Sequence, residues 1–160
     1  VGTTFKIYLP PAKEMKNLEP VEERQEIPEG EEKHIMVVED EETVRNLIKA
    51  VLNQAGFKVT TATNGNEALE LVERQNIKPD LLITDMVMPG MSGTALVERV
   101  KEIIPSLKII YMSGYTDDAI IRHGLKDREK IPFIQKPFKI DDLILQIRKM
   151  FLQNKTGDPQ

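Results

Sequence analysis

From residue 34 onward, short runs rich in apolar and β-branched residues take turns with longer stretches in which apolar residues recur every three or four positions. This alternation restricts the fold more than any single residue does. "HIMVV" (34–38), "FKVTTA" (57–62), "DLLIT" (80–84), "KIIYM" (108–112) and "PFIQ" (132–135) read as strands. Between and after them, 41–56, 65–76, 94–104, 117–125 and 141–151 read as amphipathic helices. In the first, Val44, Leu47, Ile48, Val51 and Leu52 share one face, and Gly56 is a natural stop. Short apolar strands separated by helices cannot pair as hairpins. They pair in parallel, with helices covering both faces of the sheet. The expected architecture is a doubly wound, five-stranded parallel α/β domain with five helices over 33–154.

The residues before that domain differ in kind. The stretch 10–32, "PPAKEMKNLEPVEERQEIPEGEE", is rich in proline and acid and poor in core-forming groups, as a solvated linker is. Its acidity accounts for all of the chain's net charge of −4, so the domain itself is nearly balanced and offers no basic face for nucleic acid. The chain has no cysteine, which excludes disulfides and thiolate metal sites and suits a reducing cytoplasm. No apolar run approaches the roughly 20 residues of a membrane span, so no membrane contact is expected of this chain. Residues 155–160 read as a tail.

Parallel sheets place their ligands outside the carboxyl ends of the strands. Glu39 and Asp40 follow the first strand here, Asp85 the third, Ser113 the fourth and Lys136 the fifth. Each has an ordinary explanation alone: acids cap helix N-termini, serines sit in loops, and lysines line surfaces. Together at one sheet edge they form a constellation that capping does not produce. Three carboxylates in close quarters repel one another and favour a divalent cation. An oxygen-only set without His or Cys favours Mg²⁺ or Mn²⁺ over zinc. Mg²⁺ takes one or two carboxylates directly, which leaves Asp85 able to act as a nucleophile toward a phosphoryl group. Lys136 and Ser113 are the right types to meet charge on the transferring oxygens. "PGMSG" (89–93) would form the turn beside Asp85.

The pair "ED" after the first strand, "ITDMVMPGMSG", "YMSGY" and "QKPF" resemble the receiver domain of two-component response regulators, in order and spacing, over 33–154. The resemblance implies a flavodoxin-like sheet of order 2-1-3-4-5, with Asp85 as the acceptor of phosphoryl from a phosphohistidine-bearing domain of a histidine kinase or phosphotransfer protein. It implies that Glu39, Asp40, Asp85 and the main-chain carbonyl of Val87 hold Mg²⁺. Lys136 would bind the phosphoryl group, Ser113 would be the switch hydroxyl, and Phe133 the switch aromatic beside the helix at 117–125. Glu39 replaces a commoner Asp, Ser113 a frequent Thr and Phe133 a frequent Tyr. Val87 and Tyr115 stand where side chains flank the approach of hydrolytic water. Neither is expected to orient it, so self-dephosphorylation should be slow.

Residues 1–9, "VGTTFKIYL", resemble the last strand of the ATP-binding domain of sensor histidine kinases. Kinase tail, linker and receiver are the layout of a hybrid sensor kinase, whose parent chain would be membrane-anchored or cytoplasmic. The sequence carries no nucleotide-binding boxes, so ATP binding is not expected of it, and His34 and His123 read as structural. Neither a DNA-binding domain after residue 154 nor direct transcriptional output is expected of this chain. The rival function is a Mg²⁺-dependent phosphatase with an aspartyl-phosphate intermediate. That chemistry wants a general acid two residues after the nucleophile, where this chain has Val87. A nucleotide-binding domain would need a glycine-rich loop after the first strand, which is lacking.

Overall fold

The computed structural model describes residues 33–114 and 132–152. Their elements run β1 (His34–Val38), α1 (Glu42–Gln54), β2 (Lys58–Ala62), α2 (Gly65–Glu73), β3 (Leu81–Asp85), α3 (Gly93–Ile103), β4 (Lys108–Ser113), β5 (Phe133–Gln135) and α4 (Ile140–Leu152). The five strands form one parallel sheet of order β2-β1-β3-β4-β5. The expected helix at 117–125, the segments 1–32 and 153–160, and Tyr115 lie outside the described residues.

Strand alternation sorts the core into two layers. On one face Met36, Val38, Leu82, Ile109 and Tyr111 pack with Leu69 and Val72 of α2 and with Leu96, Val97 and Val100 of α3. On the other, Ile35, Val37, Leu81, Ile83, Ile110, Met112 and Ile134 pack with Ile48 and Leu52 of α1 and Leu143 and Ile147 of α4. Burial on both faces explains why the strands read as apolar runs rather than as alternating ones. Among the described residues, no helix is long and apolar enough to cross a membrane.

Helix ends follow local chemistry. Gly56, at φ +91, closes α1: its N–H reaches the Asn53 carbonyl at 3.0 Å, and Phe57 N–H reaches that of Leu52 at 3.0 Å. This double bond with a left-handed glycine is a Schellman ending. The Asn64 side chain caps α2 and the Ser92 hydroxyl caps α3. Glu41 is the N-cap of α1 and makes no side-chain cap bond, while its own N–H donates to Glu39 Oε1 at 3.3 Å. α2 stops at Glu73, short of the expected 76, because Asn76 turns to φ +53 and Ile77 N–H folds back onto the Leu71 carbonyl at 3.1 Å.

Candidate functional site

The strand order reverses between β1 and β3, and the carboxyl ends of those strands and of β4 and β5 define one edge. Val38 pairs with Thr84, Asp85 with Met112 and Ser113 with Gln135. That register brings the strand tips level. Asp85 and Ser113 are the last residues of their strands, not the first of the loops beyond them, and both are buried. Lys136 follows β5 directly, and its N–H donates to the Ser113 carbonyl at 2.7 Å, which fixes where its side chain starts.

The side chains meet. Lys136 Nζ donates to Asp85 Oδ2 at 2.5 Å and to Glu39 Oε2 at 2.7 Å. Glu39 is only 1% exposed, and burial pushes its carboxyl above the usual value, against the pull of Lys136. Burial works against the Lys136 ammonium as well. Its bonds to Asp85 and Glu39, with their charges, overcome that and hold it above the ordinary lysine value. Asp40 is exposed at the same edge. Glu39, Asp40 and Asp85 offer carboxylate oxygens within 4.8 Å of one another. Ligands at about 2.1 Å from a Mg²⁺ ion lie at most about 4.2 Å apart, so the set fits such an ion to within a side-chain rotation.

The backbone around Asp85 is tightly held. Val87 N–H donates to Asp85 Oδ1 at 3.1 Å, while the Val87 side chain stays 52% exposed. The buried Thr84 hydroxyl donates to the Asp85 carbonyl at 3.0 Å. Gly93 N–H reaches the Met86 carbonyl at 3.0 Å, bringing the start of α3 so close that a Cβ at Gly93 would collide with the Asp85 carbonyl oxygen. Ser113 Oγ is fully buried and has no hydrogen-bond partner among the described residues. Phe133 is half exposed on β5. His34, at the opposite end of β1, bonds the Thr60 hydroxyl through Nε2 at 2.8 Å.

Two residues at the site were not singled out from the sequence. Thr84 is an ordinary strand residue by pattern, and only its burial beside Asp85 distinguishes it. Arg45 looks like a solvated helix charge, yet it reaches back to the loop that carries Glu39 and Asp40.

The family model for the response regulator receiver domain matches residues 35–148. The chain is similar to Sensor kinase CckA of Brucella abortus, 35% identical over 156 residues, covering 93% of this chain and 16% of that protein. It is also similar to Sporulation initiation phosphotransferase F of Bacillus subtilis, 32% identical over 115 residues, covering 72% of this chain and 90% of that one. Among solved structures, response regulator protein TrrA from Thermotoga maritima, in complex with Mg²⁺–BeF, superposes with a TM-score of 0.62 at 32% identity, covering 73% of this chain and 97% of that one.

Proposed function

The chain belongs to the response regulator receiver domain family, and from that membership we propose how its own residues divide the work. A receiver is a phosphoacceptor module of two-component signalling. It binds Mg²⁺ at an acidic cluster and takes phosphoryl from a histidine kinase or a phosphotransfer protein. In this chain Asp85 is the acceptor. One of its carboxylate oxygens attacks phosphorus and the P–N bond to the donor imidazole breaks, its electron pair staying on the ring nitrogen.

The Lys136 ammonium, already bonded to Asp85, follows the charge onto the phosphoryl oxygens. Ser113 Oγ supplies the partner-seeking hydroxyl: a buried polar group left unpaired costs about 1–3 kcal/mol, which a phosphoryl oxygen would recover. Glu39, Asp40, Asp85 and the Val87 carbonyl would hold Mg²⁺, which supplies charge neutralisation, with Glu39 acting through water because of its longer arm. Val87 and Tyr115 hold the sequence positions expected to flank the approach of water, and with neither able to orient it, loss of the phosphoryl group should be slow.

The observation that carries this reading is the single ammonium shared by Asp85 and Glu39 at the switch point of the sheet. The match to Sensor kinase CckA covers more of the chain than residues 35–148 and so reaches into the residues before 35. It supports a layout in which 1–9 end a kinase ATP-binding domain, 10–32 link, 33–154 form the receiver and 155–160 trail. Incubation with acetyl phosphate and Mg²⁺, followed by intact mass and peptide mapping, tests the acceptor. One phosphoryl group should map to Asp85 and be lost in Asp85→Asn. Uptake at another residue, or undiminished uptake by the variant, refutes the assignment.

A further inference from the structure

Arg45 lies in the first turn of α1 and points back over the loop that joins β1 to α1. Its Nη1 donates to the main-chain carbonyl of Glu39 at 2.8 Å and to that of Asp40 at 3.2 Å. Among the described residues, no other side chain bonds these two carbonyls. The start of α1 lacks the N-cap side-chain bond that α2 and α3 have, and a long bond of 3.3 Å from Glu41 N–H to Glu39 Oε1 stands in its place, which leaves the two carbonyls to Arg45. Glu39 is tied elsewhere as well: its N–H reaches the Ala62 carbonyl at 3.2 Å, and its carboxylate reaches Lys136. Asp40 is exposed, and among the described residues Arg45 supplies the side-chain bond to its carbonyl.

We infer that Arg45 is a positioning residue for the cation site, its guanidinium pinning the main chain of Glu39 and Asp40 so that both carboxylates stand opposite Asp85. The inference rests on the metal-site reading proposed above. A guanidinium suits the task because one rigid, permanently charged group can serve two carbonyls that lie side by side. Its charge is also felt at Glu67 in the first turn of α2, where bonds from Thr63, and to a lesser degree Arg45, hold that carboxyl below its usual value. Arg45 thus stands between the metal-loop backbone and the neighbouring helix start. Two effects oppose each other here. A nearby positive charge repels a cation, whereas a preorganised loop favours it. Partners that orient metal ligands are worth about 10–100-fold in affinity, while the charge of a part-exposed guanidinium is weakened by water and salt, so orientation should win.

The test is a titration of the full chain with Mg²⁺, followed by amide NMR shifts at residues 39, 40 and 85–87, with melting in the absence of Mg²⁺ measured alongside. Arg45→Met should weaken Mg²⁺ binding about tenfold. Arg45→Lys, which keeps the charge and can bond one carbonyl, should recover part of the loss. In an Asp40→Asn background, Arg45→Met should cost much less, because the carboxylate it orients is gone. A merely structural role would lower the melting temperature without Mg²⁺ and leave affinity nearly unchanged, and that result overturns the inference. So does equal or tighter binding by Arg45→Met, the outcome expected if charge repulsion dominates. Should Arg45→Met not fold, the lysine variant decides: weakened binding supports the inference, and unchanged binding overturns it. Failure of the wild-type chain to bind Mg²⁺ would remove the metal-site reading and this inference with it.

Discussion

Lys136 compensates two acids at once, and the consequences of removing it can be worked out. Lys136→Met keeps most of the apolar stem but leaves Glu39 and Asp85 buried without their counter-charge. Breaking a buried pair by deleting one partner costs about 3–5 kcal/mol. Because the Lys136 side chain is 24% exposed, the lower end, about 3 kcal/mol, is expected. Urea denaturation should show this as a lower midpoint. Mg²⁺ should restore more stability to the variant than to the wild type, where cation and ammonium compete for the same oxygens. The sign with pH follows from Glu39, whose carboxyl burial holds above its usual value. As pH falls from neutral, the folded state takes up that proton before the unfolded chain does, so stability attached to this group rises. The deficit of Lys136→Met should therefore shrink on acidification. A midpoint that does not move at neutral pH would show that water, not Lys136, compensates the two acids.

The turn between β3 and α3 shows how an element sets a site. Gly93 opens α3 where only a hydrogen fits, against the Asp85 carbonyl oxygen, with the Thr84 hydroxyl close by. Gly93→Ala forces the helix start and the end of β3 apart, at a cost of about 1–3 kcal/mol. It should also slow phosphoryl uptake at Asp85 beyond what the loss of folded protein explains. Single-turnover labelling of the folded fraction separates the two effects, and a variant that labels at the wild-type rate would show that the turn yields without moving Asp85. From sequence, "PGMSG" announced a turn, but the close approach that requires this particular glycine is a tertiary fact. The same division runs through the molecule. β1 was legible to the residue, because an apolar run bounded by polar residues has sharp ends. α2 was read three residues too long, because "RQN" contains nothing that forbids a helix and the left-handed Asn76 is visible only in the backbone. Asp85, Glu39 and Lys136 were legible as a set because strand ends converge in any parallel sheet. Arg45 and Thr84 were not, since a helix arginine and a strand threonine carry no pattern until their partners are known.

Across the whole molecule the sheet is buried on both faces, so a chemical event at its carboxyl edge can reach a distant surface only through rearranged packing. β4 and β5 offer the route. Tyr111 lies opposite Phe133 in the register, and Ser113 lies opposite Gln135. Because side chains alternate along a strand, Tyr111, Ser113 and Phe133 point to the same face, the one Tyr111 shares with α2 and α3. Ser113 Oγ is buried without a partner among the described residues, while Phe133 is 50% exposed. A phosphoryl group on Asp85 would give Ser113 its missing acceptor and draw the hydroxyl toward the site, opening space on that face. Burying the Phe133 ring there removes apolar surface from water at about 25 cal/mol per Å². With no phenol hydroxyl, the inward ring is held by packing alone. The phosphorylated state should therefore bury Phe133, and a phosphate analogue such as beryllofluoride with Mg²⁺ should shift the amide and ring resonances of residues 113 and 133–136 together. Ser113→Ala should leave labelling of Asp85 detectable but uncouple it, so that the analogue no longer moves Phe133. If the ring moved equally in Ser113→Ala, the hydroxyl would not be the link, and the signal would have to travel through Lys136, whose N–H is bonded to the Ser113 carbonyl whichever side chain residue 113 carries.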